Sequence, residues 1–168
     1  YFKVDSIYDA TNSLGGKSRL ETVTPEYLKA HITDVSTLEI RILPLKKGGD
    51  IAVVSYTVDS TGAQADSQLF FVSGDGSVLE SKKLFRAPEL KHFFHIDKGS
   101  VTKMGELVDM VQFPTIEYIL SPDTTELKGR LTVGEYMDVD DYNIMKLFLV
   151  PQITWTWNGS KYVENKNK

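Results

Sequence analysis

Residues 38–58 read LEIRILPLKKGGDIAVVSYTV, and this stretch decides the fold class. Apolar and charged residues alternate at its start, which predicts a β-strand with Ile40 and Ile42 on the buried face. Glu39 and Arg41 are then expected on the opposite, solvent-facing side. A turn with two adjacent glycines follows, and the stretch ends in β-branched and aromatic residues that favour a second strand. It therefore predicts an antiparallel hairpin.

Strand patterns of the same kind recur along the chain. They are short and are separated by tight turns, of which SGDGS at residues 73–77 is the clearest. This spacing indicates an antiparallel meander and not βαβ units. The further predicted strands are 19–23, 27–33, 68–73, 78–85, 115–120, 127–133, 153–157 and 161–164.

Helical patterns interrupt the strands in the second half of the chain. Pro88 suits the first turn of a short helix, and residues 102–111 carry apolar side chains at helical spacing. A third helix is predicted over residues 142–149, with Asp138 as its N-cap. A buried strand over residues 144–150 is the competing interpretation.

We therefore predict an α+β fold, mostly an antiparallel β-sheet meander with two or three short helices. Residues 1–168 are expected to form a single domain, with 12–87 and 101–164 as two related strand-rich lobes. A short similarity between residues 24–33 and 121–132 suggests a repeated hairpin, and chance similarity is the alternative. The predicted core residues are Leu28, Ile40, Ile42, Val54, Leu69, Phe71, Phe94, Leu107, Leu131 and Trp155.

The composition excludes several classes of protein. The 168 residues include no cysteine, so disulfide scaffolds, thiolate zinc sites and cysteine nucleophiles are excluded. The net charge of −4 argues against a nucleic-acid partner. No apolar run reaches the length of about 20 residues that a membrane-spanning helix needs.

Two ligand-binding patterns have simpler explanations. The sequence GGKS at residues 15–18 resembles the end of a phosphate-binding loop, but Thr11 stands where that loop needs glycine. A glycine-rich turn explains it better. The carboxylates Asp138, Asp140 and Asp141 lack the spacing of a calcium loop, and they suit the N-terminus of a helix.

A metal site is one interpretation of His92 and His95. Two imidazoles three positions apart share one face of a helix and can ligate the same ion. The alternative is that Phe93 and Phe94 anchor this segment while the histidines lie at the surface.

The final hairpin is rich in aromatic residues. Trp155 and Trp157 share one face of a strand, and Tyr136, Tyr142 and Tyr162 are close in sequence. Such rings can stack on sugars and form a ligand-binding platform. A tryptophan pair beside Ile153 on a strand is more commonly part of the core, which is the alternative interpretation.

Two segments resemble a known family. One spans residues 12–28, with LGGKS and VTPEYL, and continues into ILPL at 42–45. The other combines LSPD at 120–123 with WNGSKYV at 157–163. Together they resemble an uncharacterised Bacteroidales family, the domain of unknown function DUF3256. The resemblance implies an exported protein with its signal peptide removed, at the periplasm or the cell surface, with further N-terminal residues in other members.

The resemblance carries no activity, so function rests on the residues. Familiar catalytic motifs are missing from the sequence, which favours a non-enzymatic binding or interaction module of the cell envelope, with a glycan or an envelope protein as ligand. The alternative is a carboxylate-dependent extracytoplasmic hydrolase. No cofactor is expected, and the sequence leaves the oligomeric state open.

Overall fold

Two antiparallel sheets and three short helices make up the described part of the computed structural model. The structure describes residues 8–11, 13, 16–59, 64–96, 101–133 and 137–165. The first sheet has six strands: β1 (Tyr8–Thr11), β2 (Lys17–Val23), β3 (Tyr27–Thr33), β4 (Ser36–Pro44), β5 (Asp50–Val58) and β6 (Asp66–Ser73). The second sheet has four strands: β7 (Ile116–Leu120), β8 (Glu126–Leu131), β9 (Ile153–Trp157) and β10 (Tyr162–Glu164).

Both sheets are meanders, because each strand pairs with its neighbours in sequence. The β4–β5 hairpin shows why the glycine turn was informative: Gly48 and Gly49 have φ of 90° and 77°, which other residues rarely adopt. The predicted α+β class and antiparallel meander are confirmed.

The segment after β6 differs from the sequence prediction. Residues 78–85 were expected to form a strand, but only Val78 bridges to β6, and α1 (Ser81–Leu84) follows. The predicted strand is wrong because residues 80–83 are polar and do not alternate, so this segment has no apolar face to lay on a sheet. Lys82 and Lys83 also suit the C-terminal turn of a helix.

The second and third helices share a hydrophobic cluster with Val133, which lies just after β8. The second helix, α2 (Val101–Met110), matches its prediction within one residue at each end. The third, α3 (Val139–Met145), is capped as predicted, since Asp138 accepts the Asp140 N–H at 2.9 Å. It ends four residues earlier than predicted, and the competing strand is reduced to a single bridge between Leu149 and Phe94. The segment after Pro88 is a 3₁₀ turn.

Two hydrophobic clusters form the core. The larger lies between the sheets, and the smaller joins α2, α3 and Phe94. Burial is confirmed for Phe71, Phe94, Leu107 and Trp155. Two further predicted core residues are half-buried and pack against the larger cluster; these are Leu69 and Leu131.

One face of the six-stranded sheet packs on the second sheet, and we call it the inner face. The sequence predicted that the opposite face would be buried. Glu39 and Arg41 are 7% and 5% exposed and lie on the inner face. The predicted core residues Leu28, Ile40, Ile42 and Val54 are half-buried on the opposite side, which we call the outer face. The physical reason is that Glu39 and Arg41 form hydrogen bonds with backbone groups of β7 and of the turn that follows it.

Candidate functional site

Polar side chains of the six-stranded sheet hold the edge of the second sheet. Strand β7 is an edge strand, so alternate residues turn their backbone groups away from β8. Side chains of the first sheet bond these groups in order along the strand. The contacts are Ile116 N to Asp66 Oδ1 (3.2 Å), Tyr118 N to Ser67 Oγ (2.9 Å), Ser55 Oγ to Tyr118 O (2.7 Å) and Leu120 N to Glu39 Oε2 (3.2 Å).

Glu39 is the most buried carboxylate of this contact. Its second oxygen, Oε1, accepts a hydrogen bond from the Tyr27 hydroxyl at 2.5 Å. Burial raises the pKa of Glu39, and the hydrogen bonds from Tyr27 and Leu120 oppose that rise. Both oxygens therefore have partners within the protein, and the side chain serves as a structural acceptor.

Arg41 extends the contact beyond the end of β7. Its guanidinium donates to the Pro122 carbonyl at 2.9 Å and to Glu26 Oε2 at 2.9 Å. The Nε atom is buried and has no hydrogen-bond partner among the residues described. The Arg41 side chain thus connects the six-stranded sheet to the turn after β7 and neutralises the carboxylate of Glu26.

A cleft beside α1 is a candidate binding site. It has a volume of about 570 Å³ and an apolar floor formed by Leu69, Phe85 and Tyr118, and Lys82 and Arg86 line it as well. We call it the Lys82–Arg86 cleft. Its size falls within the range of about 300–1,000 Å³ that is usual for ligand pockets.

Phe85 positions this cleft. Its ring packs edge-on against Tyr118 and Trp155, with centroid distances of 5.4 Å and 5.2 Å. These contacts fix the segment that follows α1 and present Lys82 and Arg86 at the surface. Neither cation takes part in an ion pair within the described ranges. Both charges are therefore available to an anionic group.

Tyr118 is the floor residue that carries a polar group. Burial, with a smaller contribution from the Asp66 carboxylate, raises the pKa of Tyr118 to about 12. The phenol consequently stays protonated at neutral pH and can donate a hydrogen bond.

The positive charge continues around α1. A neighbouring cleft of about 300 Å³ is lined by Lys82, Lys83, Arg86 and Lys161 together with apolar residues. Lys83 pairs with Glu80 at 2.6 Å, which neutralises part of this charge. The surface around Phe85 therefore combines cationic groups with an aromatic and aliphatic floor.

The aromatic residues of the predicted platform do not form one exposed surface among the described residues. Trp155, Trp157 and Tyr162 lie together in the core and are at most 6% exposed, and the Trp157 indole donates to the Pro44 carbonyl at 2.7 Å. Tyr142 is half-buried on α3, in the other hydrophobic cluster. Tyr136 lies outside the described residues. The three buried rings are accounted for by core packing, the alternative interpretation of the sequence.

His92 and His95 lie beside one cleft with Glu164 and Asn165. The His92 Nδ1 accepts a hydrogen bond from the Glu89 backbone N–H at 3.1 Å. Across the described part of the chain, no group of three or more histidine, cysteine or acidic residues is arranged to hold a metal ion. The pair therefore remains a predicted metal site, for which the described ranges supply no third ligand.

The sequence predictions missed Lys82, Phe85 and Arg86. A signal was present, because residues 82–86 place three cations around one aromatic residue. The expectation of a strand over this segment concealed it. Glu39 and Arg41 were assigned to the solvent side, since alternation alone cannot show that a polar face meets a strand edge.

The family follows from comparison with known proteins. The family described as "Protein of unknown function (DUF3256)" matches residues 1–162. The chain is a DUF3256 protein. The resemblance seen in the sequence is thereby confirmed. No functionally curated protein matches this DUF3256 chain.

A solved structure shares the fold. It is a domain of an uncharacterized protein from Porphyromonas gingivalis W83, with a TM-score of 0.81 and 21% sequence identity. The similarity covers 95% of the DUF3256 chain and 81% of the other. At 21% identity, this similarity shows a shared fold alone. Among the residues described here, no helix has both the length and the apolar character required to cross a membrane.

Proposed function

We propose that this DUF3256 protein is a non-catalytic binding module that holds an acidic protein segment in the Lys82–Arg86 cleft. The observation that carries the proposal is an apolar floor flanked by two cations that have no ion-pair partner among the described residues. An apolar side chain of the ligand would cover Leu69 and Phe85, and a neighbouring carboxylate would pair with Arg86 or Lys82. Arginine suits this role because its planar guanidinium can bind a carboxylate through two hydrogen bonds.

Support is stronger for a protein ligand than for a glycan. Stacking on a sugar requires an accessible aromatic face, whereas Trp155, Trp157 and Tyr162 are buried. The alternative function, a carboxylate-dependent hydrolase, has less support than either ligand. Glu39, the buried carboxylate with a raised pKa, is engaged by Tyr27 and by the β7 backbone.

We further propose that binding takes place outside the cytoplasm, at the periplasm or the cell surface. This location rests on the export that the family resemblance implies.

Peptide binding with charge-matched ligands tests the proposed function. A fluorescent peptide of alternating Glu and Phe should bind, whereas its Lys–Phe counterpart should not. Reversing both charges, in Lys82→Glu/Arg86→Glu, should weaken binding by about tenfold or more, and added salt should weaken wild-type binding because the contacts are exposed.

Lys17→Glu is the matched control. Lys17 is an exposed lysine at the start of β2, four strands away from Leu69 in the same sheet. This variant should bind the acidic peptide as wild type does. Equal binding of both peptides, or equal weakening in the control and in the double variant, would refute the role of the cleft.

A further inference from the structure

The outer face of the six-stranded sheet carries an apolar row across five strands. Val23, Leu28, Ile40, Val54 and Phe70 stand opposite one another in register, from β2 to β6. Two flanking rows are also free of charged side chains; they are Leu20–Ala30–Leu38–Tyr56–Gln68 and Ile42–Ala52–Val72. The face is therefore continuous, apolar and neutral.

The central row of the outer face has no packing partner in either hydrophobic cluster of the described residues, whereas Leu20 in a flanking row is 7% exposed. The larger hydrophobic cluster takes its members of this sheet from the inner face, and no residue of the central outer row belongs to either cluster. Phe70 is 39% exposed, and Val58 and Val78, at the margin of the same face, are 46% and 72% exposed. A sheet face with regular apolar alternation normally packs against protein.

We infer that the outer face is the interface between two copies of this chain. The size of the face agrees with this occupant: the strands from β2 to β6 have on average about eight residues at about 3.4 Å each, and five strands at about 4.8 Å spacing give about 650 Å². Specific interfaces bury about 600–1,000 Å² of each partner, so the whole face, including its margins, lies within the lower part of this range.

The uncharged rows also reduce the electrostatic repulsion that a second copy would meet. Each chain has a net charge of −4, so copies repel unless they meet through a neutral surface. The three uncharged rows provide that surface, and a twofold contact brings each row onto an equally uncharged one. Nucleic acids and anionic lipid surfaces are recognised by lysine and arginine, which these rows lack.

Sedimentation of the 168-residue chain tests the dimer. The wild type should sediment as twice 18.9 kDa at high concentration and dissociate on dilution. Val54→Lys places a charge at the centre of the interface and should weaken association by about 100-fold or more, because the ammonium would be buried without a partner. Phe70 lies on the edge strand β6 and is partly exposed, so Phe70→Lys should leave the monomer folded. This variant should also weaken association.

Leu147→Lys is the control, since Leu147 is 76% exposed and follows α3, away from the sheet. It should dimerise like wild type. Because the chain has no cysteine, Val54→Cys can carry a single spin label. Two sheets packed face to face lie about 10 Å apart, so the labels should be close in the dimer and far apart at Leu147→Cys.

Three results would overturn the inference. They are a wild type that stays monomeric throughout, a dimer that Val54→Lys and Phe70→Lys leave intact, and labels at Val54→Cys that are no closer than those of the control. The last two would place the contact on another face. None of these measurements involves the Lys82–Arg86 cleft.

Discussion

The buried carboxylate of Glu39 lowers the stability of the folded protein through the cost of its desolvation. Its carboxylate enters the space between the sheets, where transfer from water disfavours the charged form. The Tyr27 hydroxyl and the Leu120 N–H offset this cost in part. Burial dominates, and the pKa of Glu39 lies above its ordinary value of 4.5.

The raised pKa of Glu39 predicts how stability depends on pH. As pH rises from about 4.5, the unfolded chain releases this proton first while the folded chain still holds it, so the free energy of unfolding falls. In Glu39→Gln the amide cannot titrate, but it can still accept from Leu120 N–H and donate to Tyr27. We expect the melting temperature of Glu39→Gln, relative to wild type, to increase between pH 4 and pH 8. A difference that is constant with pH would contradict the role assigned to burial.

At Gly129 in β8, the packing of neighbouring rings leaves no room for a larger side chain. A Cβ at this position would lie 2.9 Å from Trp155 Cζ3 and 3.2 Å from Tyr118 Cε1. Gly129→Ala should therefore destabilise the protein by about 1–3 kcal/mol through overpacking, measured by chemical denaturation. Gly105→Ala on α2 has no neighbouring atom within 4 Å and should instead stabilise by about 0.5–1 kcal/mol. Equal effects of the two alanines would show that packing at Trp155 is looser than described.

Among the elements, β7 depends on contacts outside its own sheet. Ser67→Ala removes the acceptor for the buried Tyr118 N–H and should cost about 1–3 kcal/mol, because that group is left unsatisfied. The Tyr118 amide should also exchange with deuterium faster, whereas amides that pair β8 with β9 should change only as much as global stability does. Ser160→Ala, in an exposed turn, is the control and should have little effect. Unchanged exchange at Tyr118 would contradict the edge contact.

Elements governed by local chemistry were predictable from the sequence. The β4–β5 turn was visible in Gly48 and Gly49, and the α3 N-terminus was visible in Asp138. The side of β4 that faces the second sheet was not, because it depends on backbone groups of β7 that are about 80 residues away in the chain. The Lys82–Arg86 cleft was missed for a related reason, since Phe85 is held by Tyr118 and Trp155, which are distant in sequence.

For the whole molecule, the shared core predicts one cooperative unit. Trp155 in β9 belongs to the cluster that includes Val53 and Phe71 of the first sheet. Trp155→Ala should therefore cost about 3–5 kcal/mol and lower the protection of amides in β5 as well as in β9. Calorimetry should show a single transition in both proteins. Separate melting of the two sheets, or an unchanged melting temperature, would refute the single-domain prediction and the core role of Trp155 respectively.

The polar contact at β7 also affects how the protein behaves toward its own unfolded or partly folded chains. An unpaired strand edge can accept a strand from another molecule and so begin a fibril. Here the backbone groups of β7 are occupied by Asp66, Ser67, Ser55 and Glu39, and the opposite edge strand, β10, is only three residues long. The second sheet therefore offers no long row of free backbone groups for strand addition. The buried polar side chains that burden folding thus help to keep the native protein from aggregating.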